Sequence, residues 1–368
     1  MSRLPERRGY PDDPLVVLVE RVTTHVARHA NTTLARRRRD ARLPFRVDVY
    51  LNALTDEGFA EDVRCGLSER PRWLLPKYLY DARGSALFDR ITDLPEYYQA
   101  RAELEILHRE GPDLVRRHRI NDVVELGSGS SEKARVLLNA MDTAHNRRYM
   151  PVDVSSSALL EAAGDLARAF PGLRIHALAA DFEKHLDRVP PKPRRSQRLV
   201  AFLGGTVGNL APAHRAPFLR EVRGLLRVDD ILLIGTDLVG DADRTRRAYD
   251  DAAGVTGEFN KNILRVISRR LEANFDPDRF DHIARWCEDE QRVEMRLRAS
   301  EAMQVRVAGL DIDVALEAGE EILTELCCKF TRAGMETLYR ASGMDLVEWH
   351  TDADGKYALS VATPTAPS

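Results

Sequence analysis

Between residues 120 and 240 the chain alternates short apolar runs with amphipathic segments of helical period. "DVVELGSG", "RRYMPVDVS", "LRIHALAADFE", "QRLVAFLGGTVGNL" and "DILLIGTDLV" read as strands, with "SSEKARVLLNAM", "SSALLEAAGDLARAF" and "HRAPFLREVRGLL" as helices among them. Neighbouring parallel strands need a crossover, and helices must cover both faces of such a sheet. The pattern therefore predicts an α/β, doubly wound sheet with right-handed connections, whose ligands lie beyond the carboxyl ends of the strands. After residue 240 the pattern changes. "RTRRAYDDAAGVTGEFNKNILRVISRRL" reads as helical, "QRVEMRLRASEAMQVRVAGLDIDVAL" as antiparallel strands, and "DLVEWHTDADGKYALSVAT" as a terminal hairpin. A nucleotide-type domain interrupted by a second domain is the expected organisation.

The 368 residues carry a formal net charge of -3, which gives no whole-protein reason to expect nucleic acid or a membrane surface. No apolar run reaches the length of a membrane span, and "PLVVLV" is too short for a signal core. Four cysteines (Cys65, Cys287, Cys327, Cys328) form no CxxC and no zinc spacing, so a reduced, cytoplasmic protein without a metal is expected. Cys327 and Cys328 are adjacent, and strand neighbours point to opposite faces, which argues against their pairing. Residues 1–52 stand apart as a basic extension, partly helical or disordered, with a short amphipathic helix expected at "PLVVLVERVTTHVARHA". Through Arg46 they hold eleven arginines against five acidic residues. The run "ARRRRD" has no interleaved aromatics, so a solvated arm fits it better than a nucleic-acid grip. His25 and His29 lie one helical turn apart but lack a third ligand nearby.

The loop "VVELGSGSSEK" (residues 123–133) carries the chemistry. Gly127 and Gly129 keep the tight turn of a nucleotide-binding loop, but Ser130, Ser131 and Glu132 follow where a dinucleotide fingerprint has its third glycine. A carboxylate here would repel a pyrophosphate. A ligand with a sulfonium and an amino-acid portion suits the loop better. Asp153 ends the second strand, where its oxygens can accept from two ribose hydroxyls. Asp181 and Phe182 end the third, where an acceptor and an aromatic face can hold adenine. In this order the three elements match Rossmann-like, class I S-adenosylmethionine-dependent methyltransferases, and the terminal hairpin fits their extra antiparallel strand.

A closer likeness follows from longer stretches. "PKYLYDARGSALFDRITDLPEYYQARAE", "VVELGSGSSEKARVLLNAM", "FLGGTVGNLAP", "GTDLVGDADRTRRAYDDAAGVTGEFNKNIL" and "GEEILTELCCKF" resemble the histidine-specific Nα-methyltransferase family of ergothioneine biosynthesis, from about residue 53 to the C-terminus. The resemblance implies trimethylation of the α-amine of histidine to hercynine. It also implies a methyltransferase domain at 102–237 plus 328–368 and an inserted α+β substrate-binding domain at 53–101 plus 238–327. By motif, Gly127, Lys133, Asp153, Asp181 and Phe182 would bind the co-substrate, with Lys133 reaching its methionine carboxylate. Tyr80, Tyr97, Asn209 and Tyr249 would bind the amino acid. Asn209 and Tyr249 would take its carboxylate, and Tyr80 would lie near the amine, making Tyr80 and Asn209 the catalytic pair. Tyr98, in the same "EYY", is expected only to pack.

For the imidazole ring the family uses a glutamate and, two residues on, a serine; here these positions are Glu325 and Cys327, with Met295 also lining the ring pocket. Strand alternation keeps Glu325 and Cys327 on one face. A thiol, however, is a weaker donor and acceptor than a hydroxyl. Histidine is the expected substrate, with tryptophan or a modified aromatic amino acid as the alternative. Two readings from other classes are a nucleic-acid methyltransferase gripping phosphates with the arginine arm, and an amino-acid sensor that binds without turnover. The expected partner is a small-molecule amino acid, with no nucleic acid or membrane, and the expected state is a monomer.

Overall fold

The computed structural model describes residues 45–51, 56–143 and 146–366. The helix expected at "PLVVLVERVTTHVARHA", His25, His29 and the arginine run lie outside the described residues.

An eight-stranded sheet forms the larger layer. Its members are β1 (Arg46–Val49), β3 (Asp122–Leu126), β4 (Arg148–Asp153), β5 (Arg174–Ala179), β6 (Arg198–Phe202), β7 (Ile231–Asp237), β13 (Met344–Thr351) and β14 (Tyr357–Pro364). They run in the order β1-β5-β4-β3-β6-β7-β14-β13. The first six are parallel, and the terminal hairpin β13–β14 adds antiparallel to β7. The sheet is the doubly wound one expected, with its order reversing between β3 and β6, where the carboxyl ends splay to admit a ligand. The central strands β3, β6 and β7 are buried at every position, as a parallel sheet covered on both faces requires. One face packs on α3 (Tyr98–Arg117), α4 (Glu132–Ala140) and α5 (Ser156–Ala169). The other packs on α6 (Pro212–Gly224) and α9 (Arg332–Ala341).

β1 was not anticipated. Residues 46–49 fall inside the stretch read as a basic extension, yet they pair with β5 as a parallel edge strand, and Phe45 and Leu51 are buried beside them. Four residues flanked by an arginine-rich segment give too short an alternation to stand out.

A second core gathers around a smaller sheet, β2-β12-β9-β8, made of β2 (Arg72–Trp73), β8 (Phe280–Cys287), β9 (Arg292–Ala299) and β12 (Glu321–Cys328). The hairpin β10–β11 (Met303–Val307, Ile312–Leu316) packs into the same core. So do α1 (Asp56–Ser68), α2 (Ala82–Thr92) and α8 (Val255–Leu271). The single helical stretch expected after residue 240 is two helices, α7 (Ala242–Arg247) and α8. Gly254, at φ +71, breaks them apart. The Asp251 carboxylate accepts from the Val255 and Thr256 amides at 2.9 and 2.7 Å and starts α8 afresh. The turn between the helices puts Tyr249 at the boundary of the two cores.

That boundary is sharp on β12. Cys327 belongs to the second core and Cys328 to the sheet's far face, and both are free thiols. Alternation along one strand thus divides its side chains between two cores.

β1 and its flanks offer a direct test. Removal of residues 1–51 deletes a strand and two buried apolar anchors, whereas removal of 1–44 spares them. The longer deletion should lose about 2 kcal/mol or more relative to the shorter one in denaturant unfolding. Equal stability of the two would show that β1 contributes nothing.

Candidate functional site

A cavity of about 400 Å³ lies at the carboxyl ends of β3, β4, β5, β6 and β7 and extends to the face of β12. All twelve residues singled out from the sequence line it: Tyr80, Tyr97, Gly127, Lys133, Asp153, Asp181, Phe182, Asn209, Tyr249, Met295, Glu325 and Cys327.

At the sheet end, Gly127 and Gly129 take φ values of +71 and +48, a left-handed path that glycine follows at little cost. Asp153 holds the loop closed. Its two oxygens accept from the Gly129 amide at 2.9 Å and the Ser155 amide at 2.8 Å, leaving further lone pairs for a ligand. Burial raises its carboxyl above the ordinary range despite these bonds. Ser128 Oγ, buried in the cavity wall, has no hydrogen-bond partner among the described residues, as expected of a group that meets a ligand. Phe182 packs edge-on against Phe202, centroids 5.4 Å apart. Asp181 is met by Lys77 Nζ at 3.3 Å, a lysine that also reaches Asp62 at 3.2 Å from the second core.

Lys133 forms an ion pair with Glu103, a carboxylate with no solvent exposure on α3. Glu103 also accepts from the Gly204 amide and the Tyr357 hydroxyl, each at 2.9 Å. Nothing in "QARAELEIL" marks this residue, because a glutamate on a helix is ordinarily solvated.

At the other end, Asn209 Nδ2 donates to Glu325 Oε1, and Met295 lies opposite Glu325 in the β9–β12 register. Burial pushes the Glu325 carboxyl up to about 7, against the pull of Lys329 and the bond from Asn209. Tyr249 Oη and Cys327 Sγ are 2.7 Å apart. Burial also raises the Cys327 thiol, with Lys329 opposing. Lys329 Nζ touches Asp237 Oδ2 at 2.8 Å, Tyr249 Oη at 3.0 Å and Cys327 Sγ at 3.5 Å. Burial alone would lower the Lys329 ammonium, but Asp237 outweighs it and keeps the cation. Period-two alternation from Glu325 through Cys327 to Lys329 carried this residue's signal, which the sequence reading passed over. Tyr98, read as packing, donates its hydroxyl to Asp237 at 2.8 Å.

Between the two ends stand aromatic rings. Tyr80 meets Phe259 and Phe88 edge-on at 5.3 and 5.5 Å, and Tyr97 meets Phe88 and Tyr249 at 6.0 and 6.4 Å. Phe88 and Phe259 also line the cavity, and neither was singled out from the sequence. Burial holds the Tyr80, Tyr97 and Tyr249 phenols well above their ordinary value, so they act as hydrogen-bonding hydroxyls rather than bases. Among the described residues no group of three or more His, Cys, Asp or Glu side chains could hold a metal, and no helix is long and apolar enough to cross a membrane.

Residues 59–364 match the model of a family described as histidine-specific, SAM-dependent methyltransferase. A histidine N-alpha-methyltransferase of Mycolicibacterium smegmatis is 48% identical over 307 residues, 83% of this chain and 95% of that protein. Its counterpart from Mycobacterium tuberculosis is 48% identical over 302 residues, 82% of this chain and 93% of that protein. Ergothioneine biosynthesis protein 1 of Neurospora crassa is 28% identical over 284 residues, 76% of this chain and 32% of that larger protein.

Glu103→Ala strips the Gly204 amide and the Tyr357 hydroxyl of their acceptor and leaves Lys133 uncompensated. Loss of one partner of such a buried pair should lower stability by about 3 kcal/mol in equilibrium unfolding. A loss under about 1 kcal/mol, the worth of one ordinary hydrogen bond, would mean the carboxylate is not the joint described.

Proposed function

Because the chain belongs to the histidine-specific, S-adenosylmethionine-dependent methyltransferase family, we propose that it trimethylates the α-amine of L-histidine, giving hercynine in the first step of ergothioneine biosynthesis. The observation that carries this reading is the single cavity running from the glycine loop to Glu325 and Cys327.

Gly127, Lys133, Asp153, Asp181 and Phe182 would hold S-adenosylmethionine. The donor set suits it: carboxylates at two strand ends, a Ser128 hydroxyl unpartnered among the described residues, and a lysine on α4. Asp89, Glu132 and Glu161 add negative charge at the cavity wall, which favours a cationic co-substrate. When bound, it supplies an electrophilic methyl group on a sulfonium.

The chain's own part is to present a neutral amine in line. Asn209 and Tyr249 would take the α-carboxylate, Glu325 the imidazole N–H, and Met295 and Cys327 the ring's flank. Fixing both ends of the amino acid supplies orientation, which can account for much of such a rate enhancement. The Tyr80 hydroxyl accepts from the amine and does not remove its proton, because burial keeps the phenol intact. Before each transfer the substrate ammonium gives up its proton to water, and the neutral amine so formed attacks the methyl carbon as the carbon–sulfur bond breaks. Tyr80, Tyr97, Phe88 and Phe259 line the nitrogen's side of the cavity with aromatic rings, an environment that suits an ammonium growing more alkylated with each transfer. The reaction ends at the quaternary amine, which has no lone pair left.

A second reading, methylation of tryptophan or another aromatic amino acid, is favoured by Cys327 alone. Purified protein incubated with S-adenosylmethionine and each aromatic amino acid, with products read by mass, decides between them. A +42 Da product from histidine is the outcome expected, as about three methyl replacements require. Histidine left unmodified beside methylated tryptophan would overturn the substrate assignment.

Two expectations refine this. Cys327→Ser gives the ring a stronger hydrogen-bonding partner and should lower the KM for histidine by up to about tenfold, whereas Glu325→Ala should raise it by more. A Cys327→Ser protein that binds histidine worse would mark Cys327 as fitted to another substrate.

The second concerns pH. Glu325 is neutral below about 7 and ionised above it. Its anion is the better acceptor for a ring N–H, and Glu325→Gln cannot ionise. The ratio of histidine KM values, Glu325→Gln over wild type, should therefore grow as pH rises from about 6 to 8, by up to about tenfold. The ratio cancels the substrate's own titration; a flat ratio would place the ionisation elsewhere. For stability the sign is opposite. A carboxyl raised in the folded state contributes fully below its unfolded value, and that contribution is lost as pH rises through about 7.

A further inference from the structure

Lys329 is the first residue past β12, and its side chain is 0% exposed. All three of its ammonium protons have partners: Asp237 Oδ2 at 2.8 Å, Tyr249 Oη at 3.0 Å and Cys327 Sγ at 3.5 Å. Its nitrogen also lies 4.6 Å from the centroid of the Tyr249 ring. Asp237, at the end of β7, is likewise committed, accepting from Tyr98 Oη at 2.8 Å and Gln99 Nε2 at 3.2 Å besides Lys329. The pair is therefore fixed from the main sheet and from α3; Asp237 reaches the cavity wall, while the Lys329 ammonium is taken up by its protein partners.

We propose that Lys329 is a positioning residue for the substrate's carboxylate, acting through Tyr249. This rests on the reading that Tyr249 meets that carboxylate. An ammonium that donates to the phenol oxygen makes the oxygen an acceptor on that side and leaves its O–H to point away. Within the protein that O–H has the Cys327 sulfur at 2.7 Å. A thiol is a weak acceptor, so the hydroxyl is readily given up to an incoming carboxylate. A cation behind the phenol also polarises the O–H, and hydrogen bonds involving ionised groups are roughly twice as strong as neutral ones. Glu325, two strand positions beyond Cys327, faces the same cavity, and the Lys329 charge offsets its repulsion of the substrate anion when it ionises. Lys329 thus serves amino acids and not amines: it confers preference for a substrate that carries a carboxylate.

The test compares L-histidine with histamine, which keeps the ring and the amine and lacks the carboxylate. Wild type, Lys329→Met, Tyr249→Phe and the double variant are assayed for the dissociation constants of both ligands, for S-adenosylmethionine affinity and for histidine turnover. Lys329→Met should weaken L-histidine binding by at least about tenfold, the lower range for a hydrogen bond to a charged group. Histamine and S-adenosylmethionine binding should each stay within about twofold, below the worth of one hydrogen bond. In the Tyr249→Phe background the same change should add little, because the two act in series. Should Lys329→Met unfold through an unpaired Asp237, Asp237→Asn with Lys329→Met removes both charges and should show the same selective loss. Equal weakening of L-histidine and histamine would reduce Lys329 to a structural ion pair and overturn the proposal, as would no weakening at all. If Tyr249→Phe keeps full discrimination against histamine, the assignment of the carboxylate to Tyr249 fails, and the inference with it. If Tyr249→Phe loses discrimination and Lys329→Met keeps it, only the inference fails.

Discussion

The site depends on a carboxylate that never sees solvent. Glu103 projects from α3 and accepts at once from the loop after β6 (Gly204), from the last strand (Tyr357) and from α4 (Lys133). An anion with no exposure is tolerated only when every lone pair is answered, and here the answers come from three distant parts of the chain. The same requirement holds the three parts in one place. The strand ends that wall the cavity cannot splay without leaving this charge alone.

A second buried pair, Lys329 with Asp237, does for the β12 end of the cavity what Glu103 does for the sheet end. Both tie separate parts of the chain together at the cavity, where Lys133 and Asp237 form part of the wall. The chemistry expected here has no proton relay and no covalent intermediate; it needs a neutral amine aimed along one line. A scaffold of fully partnered charges suits that task, because side chains bonded on several sides have little freedom to drift. The functional burden falls on orientation, and the buried ion pairs supply it.

β12 joins the two cores, and alternation along it explains how. Glu325 and Cys327 face the cavity, while Cys328 packs on the far face of the main sheet. Gly208 lets the turn after β6 come against this strand: a side chain there would meet the Cys328 carbonyl oxygen at 2.8 Å. That close approach brings Asn209 within reach of Glu325. The β12 end of the cavity is thus assembled by one strand and one turn from different cores.

The parallel sheet, its crossovers and the terminal hairpin were legible in the sequence, because buried strands and amphipathic helices leave periods that survive without neighbours. The loop at Gly127 and the acids at Asp153 and Asp181 were legible too, since each follows a strand whose end is marked by its own apolar run. β1 was not, being four residues long, and neither was β8, whose side chains are mostly half-buried and leave no clear alternation. Lys329 continues the alternation of Glu325 and Cys327, but Glu103, Asp237, Phe88 and Phe259 were hidden for a different reason. A glutamate on a helix or a phenylalanine in a core has the same local pattern whatever it faces. The local sequence determines which residues lie on one face of one element. Only packing decides which faces meet, and the desolvation that makes a lysine keep its charge or a carboxyl titrate near neutrality exists only once they have met.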